Sequence, residues 1–123
     1  MRLALLIVII LNSALSYAQQ AEFKFKEKTH RFGKVNEGEV ISTVFTFTNK
    51  GDAPLLITNY KVACTCTKVT FPKEPILPGA TGEIEVEFNT EGKIGYQDRS
   101  IDLHSNSKNP NTKIRFTVTV KNE

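Results

Sequence analysis

Between Gly82 and Phe88 the chain sets Ile84, Val86 and Phe88 at every second position and fills the gaps with Glu83, Glu85 and Glu87. Only an extended strand sends successive side chains to opposite faces, so this stretch has one dry face and one wet, acidic face. The same period recurs along most of the chain. Phe23 and Phe25 alternate with Lys24 and Lys26, and His30 to Val35 follows. Val40 to Thr48 sends Ile41, Thr43, Phe45 and Phe47 to one side. Leu55 to Val62, Thr65 to Phe71, Arg99 to Ser105 (Ile101 and Leu103 inward) and Lys113 to Lys121 (Ile114, Phe116, Val118 and Val120 inward) complete the set.

The breaks between these runs are turns by composition: Asn36-Glu37-Gly38-Glu39, Asn49-Lys50-Gly51-Asp52, Asn89 to Lys93, and Asn106 to Asn111. Pro72, Pro75 and Pro78 exclude a central strand between Phe71 and Gly79, because proline has no N–H to give to a ladder. No stretch of the mature chain holds a helical period. A sheet with one dry face must cover it with a second sheet. The pattern therefore predicts an all-β chain: an immunoglobulin-like β-sandwich of about seven antiparallel strands. The 123 residues allow one such domain, and 40% hydrophobic with 24% charged residues is the balance of a globular chain.

The N-terminus reads as an address. Met1-Arg2 is followed by the apolar run Leu3 to Leu11 and then by Ser16-Tyr17-Ala18, with small residues where a signal peptidase needs them. Residues 1–18 are expected to be a cleaved secretory signal peptide and residues 19–123 the sandwich domain. The apolar run falls short of the roughly 20 residues that span a bilayer, so no stable membrane span is expected after cleavage. Of 16 basic side chains, Arg2 leaves with the leader and the rest face 13 acidic ones, so the mature chain is near neutral. With no Arg-rich helix and no basic stripe interleaved with aromatics, nucleic acid is excluded as a partner. The acidic row Glu83, Glu85, Glu87 and the basic row Lys113, Arg115 read as solvated faces, with pairing of the two rows as the alternative.

Several short motifs occur in a fixed order. They are Phe32-Gly33-x-Val35-x-Glu37-Gly38-Glu39, Phe45-x-Phe47-Thr48-Asn49-x-Gly51-Asp52-x-Pro54-Leu55, Val62-x-Cys64-x-Cys66-Thr67, Ile76-x-Pro78-Gly79 and Gly82-x-Ile84-x-Val86-x-Phe88. This series resembles the bacterial domain of unknown function 1573, a family similar to Hydin-like and PapD-like immunoglobulin-fold modules. The resemblance implies a non-enzymatic binding or scaffold domain, with related modules acting as donors or acceptors of a strand. Thr65 stands where the family commonly has Gly, and a β-branched residue disfavours the positive φ that Gly permits.

The chain's two cysteines, Cys64 and Cys66, are the candidate chemical site. At i and i+2 they share a strand face, with Cα atoms about 6.5–7 Å apart if fully extended, at the long end of the disulfide range of roughly 4.4–6.8 Å. A bridge therefore requires a kink at Thr65. Four readings stand: a local disulfide or buried thiol pair, a redox-active dithiol, a soft-metal site for Cu(I) or Zn(II), and a bridge to another chain. His30 and His104 are not at ligand spacing to the cysteines. No Gly-x-Ser-x-Gly elbow, His-Glu-x-x-His helix or phosphate loop occurs, and Asp98 and Asp102 read as solvated, so no catalytic residue and no cofactor are expected.

The function expected is that of an exported, non-enzymatic module for protein interaction or envelope scaffolding, in the periplasm or outside the cell, with an envelope or extracellular protein as partner. The alternative is a thiol-active protein that uses Cys64 and Cys66. Candidate surfaces are an exposed sheet edge and the loops Asn49 to Asp52, Pro72 to Gly79 and Asn89 to Gly95. The address has a direct check. Intact mass of the exported protein should correspond to a chain that starts at Gln19, and a mature chain that keeps Leu3 to Leu11 overturns the cleavage.

Overall fold

The computed structural model describes residues 19–122, and the predicted leader, residues 1–18, lies outside the described residues. Eight strands form two sheets: β1 (Phe23–Phe25), β2 (Thr29–Asn36), β3 (Val40–Asn49), β4 (Ile57–Val62), β5 (Thr67–Thr70), β6 (Thr81–Asn89), β7 (Gly95–Ser105) and β8 (Asn111–Lys121). The first sheet has the order β1-β3-β6-β5 and the second β2-β8-β7-β4. No helix occurs among the described residues.

The alternation seen in the sequence fixes how the sheets meet. Phe45, Phe47, Ile84, Val86 and Phe88 from the first sheet face Ile101, Leu103, Ile114, Phe116, Val118 and Val120 from the second, all at most 3% exposed. The Phe88 and Phe116 rings meet across the gap at 5.1 Å. Each of these side chains contributes about 1.5–3 kcal/mol by leaving water. The β3–β6 register is unbroken from Val40↔Asn89 to Thr48↔Thr81, so the dry faces of these two strands stay aligned along their whole length.

The strand count and pairing need correction. There are eight strands rather than about seven, and they are not all antiparallel: β2 pairs with β8 in parallel. The cause is a split first strand. Phe23 and Phe25 pack against the core from the first sheet, while Phe32 and Val35 pack from the second. Between them Lys26, Glu27 and Lys28 are exposed, and the chain changes sheets there. Having crossed, β2 runs beside β8 in the same direction, with a register shift between Arg31 and Lys34 where Gly33 takes a φ of 75°. The charged rows are solvated faces, and the alternative of pairing between them does not hold. Glu83, Glu85 and Glu87 lie on the outer face of one sheet, and Lys113 and Arg115 on the outer face of the other, so the two rows cannot meet. The cations pair within their own sheet, Arg115 Nε with Asp98 Oδ1 at 2.8 Å and Lys113 Nζ with Asp102 Oδ1 at 3.8 Å. Such exposed pairs are worth about 0–1 kcal/mol.

One end of the sandwich is tied by the fully buried Asn49. Its side-chain Nδ2 donates to Ala53 O at 2.8 Å and Ile76 O at 2.9 Å, and its Oδ1 accepts the N–H of Gly51 at 3.0 Å and of Glu22 at 3.2 Å. Its backbone N–H donates to Ala80 O, and its carbonyl accepts from Gly79. The opposite end has a smaller counterpart in the buried Thr90, whose N–H donates to the carbonyl of Glu39 at 3.1 Å and whose hydroxyl donates to that same oxygen at 2.6 Å. Truncating Asn49 leaves buried backbone donors and acceptors unmatched at about 1–3 kcal/mol apiece, which water entry reduces. Asn49→Ala should therefore lower unfolding free energy by about 3 kcal/mol in a urea titration, and a loss below about 1 kcal/mol would remove Asn49 as the tie.

Candidate functional site

The Cys64 segment is one of the places where the chain leaves one sheet for the other. β4 of the second sheet ends at Val62 and β5 of the first begins at Thr67. Thr65 and Cys66 form a turn rather than continuing the extended run expected from Thr65 onward, and it is closed by the Thr67 N–H donating to Cys64 O at 3.1 Å. The turn draws the Cys64 and Cys66 Cα atoms to 5.2 Å and their sulfurs to 2.03 Å, the length of a disulfide. No described residue other than glycine takes a positive φ, so Thr65 makes this turn without the conformation that glycine would permit. Cys66 packs against the core, its N–H donates to Cys64 Sγ at 3.2 Å, and its carbonyl accepts from Asn89 N–H at 3.0 Å.

Among the described residues no group of three or more His, Cys, Asp or Glu side chains could hold a metal ion. His30 lies on β2 with its ring against Phe32 at 4.6 Å, and His104 lies at the far end of β7, opposite Asn59 and Asn111.

The structure sorts the candidate loops into two groups. Asn49 to Asp52 and Pro72 to Gly79 lie together at the end tied by Asn49. Asn89 to Gly95 lies at the other end, beside the cysteine turn, with Cys64, Cys66, Asn89, Glu91 and Lys93 sharing one groove. Tyr96 and Ile94 are exposed at this end.

Two features here escaped the sequence reading. The first is that β7 begins at Gly95 rather than Arg99. β4 accompanies it only as far as the pair Val62↔Ile101, so Gly95 to Ser100 is paired with β8 alone and its other edge is open. The second is Arg99. Strand parity already places it on the same side as Ile101 and Leu103, and it indeed points between the sheets. Its guanidinium carbon lies 5.7 Å from the centre of the Phe88 ring, and one Nη donates to Gln97 Oε1 at 2.6 Å. Its Nε is buried with no hydrogen-bond partner.

Comparison with known proteins agrees with this geometry. No curated protein matches the chain in sequence. Among solved structures it is similar to a protein of unknown function from Porphyromonas gingivalis W83, with TM-score 0.74 and 16% identity over 87% of this chain and 50% of that one. It is also similar to the VesB protease of Vibrio cholerae, with TM-score 0.61 and 15% identity over 84% of this chain and 32% of that one. The PapD-like domain 7 of human CEP192 gives TM-score 0.59 and 10% identity over 85% of this chain and 87% of that one. The chain thus spans half the length of the Porphyromonas protein and a third of the protease, and at such identities the likeness is one of fold. The family model described as Protein of unknown function (DUF1573) matches residues 23–120, which take in β1 through nearly all of β8, and the chain belongs to that family.

Proposed function

We propose that this chain is an exported, non-enzymatic module that binds another protein at the cell envelope. The observation that carries the reading is the open edge of β7 at Gly95 to Ser100, with exposed Ile94 and Tyr96 beside it. A sheet edge offers a partner strand a row of backbone donors and acceptors, which natural sandwiches otherwise shorten, bulge or cover. The apolar run at Leu3 to Leu11 and the small residues at Ser16 and Ala18 support export, and export supplies the oxidising surroundings in which Cys64 and Cys66 pair.

In this reading the cysteine bridge is a local clip on the turn between β4 and β5. The packing of Cys66 against the core and the hydrogen bond from Asn89 to its carbonyl support a structural role. A bridge that closes so short a loop removes little chain entropy, worth about 1.5 kcal/mol. The chain with Cys64→Ser and Cys66→Ser should keep its fold and its partner while losing about that much stability in urea. The thiol-active alternative requires the reverse, namely loss of function in the double variant without loss of fold, or a bridge that exchanges readily with glutathione.

The interaction itself is tested by isolating the tagged protein from its native envelope under non-denaturing conditions. A stoichiometric partner that rebinds the purified protein saturably is the expected result. Absence of any such partner would sink the proposal.

A further inference from the structure

β4 turns away at Val62 while β7 runs on, and the turn leaves a gap. The space, about 350 Å³, is lined by residues that include Lys61, Cys64, Asp98, Arg99, Ser100 and Asp102. It continues the line of β4 along the unpaired part of β7. In an antiparallel sheet a residue sends its N–H and C=O to the same side, and successive residues alternate, so about half of Gly95 to Ser100 present both groups to this gap.

Two cations and two carboxylates line the gap, but the carboxylates are engaged from outside it. Asp98 and Asp102 are engaged by Arg115 and Lys113. Lys61 and Arg99 form no ion pair among the described residues and remain as surplus cations. Arg99 matters most because its Nε is buried without an acceptor, a costly state for a charged donor. Arginine presents its N–H groups in a fork that matches a carboxylate, and a water-poor setting strengthens that pair.

We infer that the gap takes an extended, acidic segment of a partner protein, added antiparallel to β7 with one Asp or Glu side chain on Arg99. The inference rests on the interaction reading above and names its surface and the chemistry of its occupant. Both existing neighbours of β7 are antiparallel to it, which is the better-bonded arrangement. A residue directly opposite Arg99 in an added strand points to the same side of the sheet, with Cβ atoms about 4.5–5.5 Å apart, close enough for a carboxylate to reach the guanidinium. Three residues toward its C-terminus the segment lies opposite Tyr96, on the outer face, where an apolar side chain would cover the exposed ring. The recognition pattern is therefore acidic-x-x-apolar in an extended segment.

Short random peptides displayed on phage, selected against the mature protein with its bridge intact, provide the test. Enriched sequences should carry the acidic-x-x-apolar pattern, and a synthetic copy should slow amide exchange within Gly95 to Ser100. Arg99→Gln should weaken binding about tenfold, as should replacing the peptide's acid by its amide, and the two changes together should cost little more than either alone. The peptide change needs no protein variant, so the test survives if Arg99→Gln folds poorly. Enriched peptides without the acid, an unchanged affinity in the amide peptide, or protection elsewhere on the protein would each overturn the inference. Protection of Gly95 to Ser100 that grows with protein concentration alone would overturn it too, by making a second copy of this chain the occupant. A native partner retained in full by Arg99→Gln defeats this surface and leaves the interaction reading standing, whereas no partner for the unaltered protein defeats that reading.

Discussion

The side-chain amide of Asn49 holds together stretches that no ladder joins. It reaches the segment before β1 through Glu22, the turn after β3 through Gly51 and Ala53, and the proline-rich connection before β6 through Ile76. All four of its hydrogen-bonding positions are used, which is the full capacity of its two donors together with a bond to each lone pair of its oxygen. The long Pro72 to Gly79 connection has no strand of its own beyond the single bridge Leu55↔Ile76, so its backbone groups depend on such ties. With that end closed, Leu55 and Phe47 sit fully covered beneath it, and the inter-sheet core is sealed from one side. The other end has Thr90, the cysteine turn and the ties of Asn122 to Lys93 and Gly95, and it is there that the sheet edge stays open.

Most of the fold was legible in the chain because the core faces are simple. Ile84, Val86 and Phe88, and Ile114, Phe116, Val118 and Val120, alternate without interruption, and a period of two fixes both strand and face. The split of the first strand was harder to read. Phe23, Phe25, Phe32 and Val35 all face the core, and only the exposed Lys26 to Lys28 stretch marks where the chain changes sheets. Pairing direction leaves no trace in side-chain order, so the parallel β2–β8 ladder could not be inferred from alternation.

The site was less legible, for different reasons at each residue. Asn49 reads locally as a turn former, because asparagine before Lys-Gly-Asp is common in turns, and its distant partner Ile76 is set only by tertiary packing. Arg99 had a usable signal in its parity with Ile101 and Leu103, an inward position that an unpaired cation seldom takes. At Cys64 and Cys66 the geometric question was whether Thr65 allows a close approach. The answer is a turn at negative φ that places the Cα atoms 5.2 Å apart.

The parallel pairing of β2 with β8 has a mechanical consequence. The register runs from Thr29↔Arg115 to Asn36↔Lys121, so β2 starts at one end of the ladder and β8 finishes at the other. A tension that pulls the start of β2 against the end of β8 slides the two strands lengthwise, and the ladder's hydrogen bonds bear the load together. An antiparallel pair pulled from adjacent ends would instead peel open one bond at a time. A domain strung between two attachments along this direction would resist extension by shear.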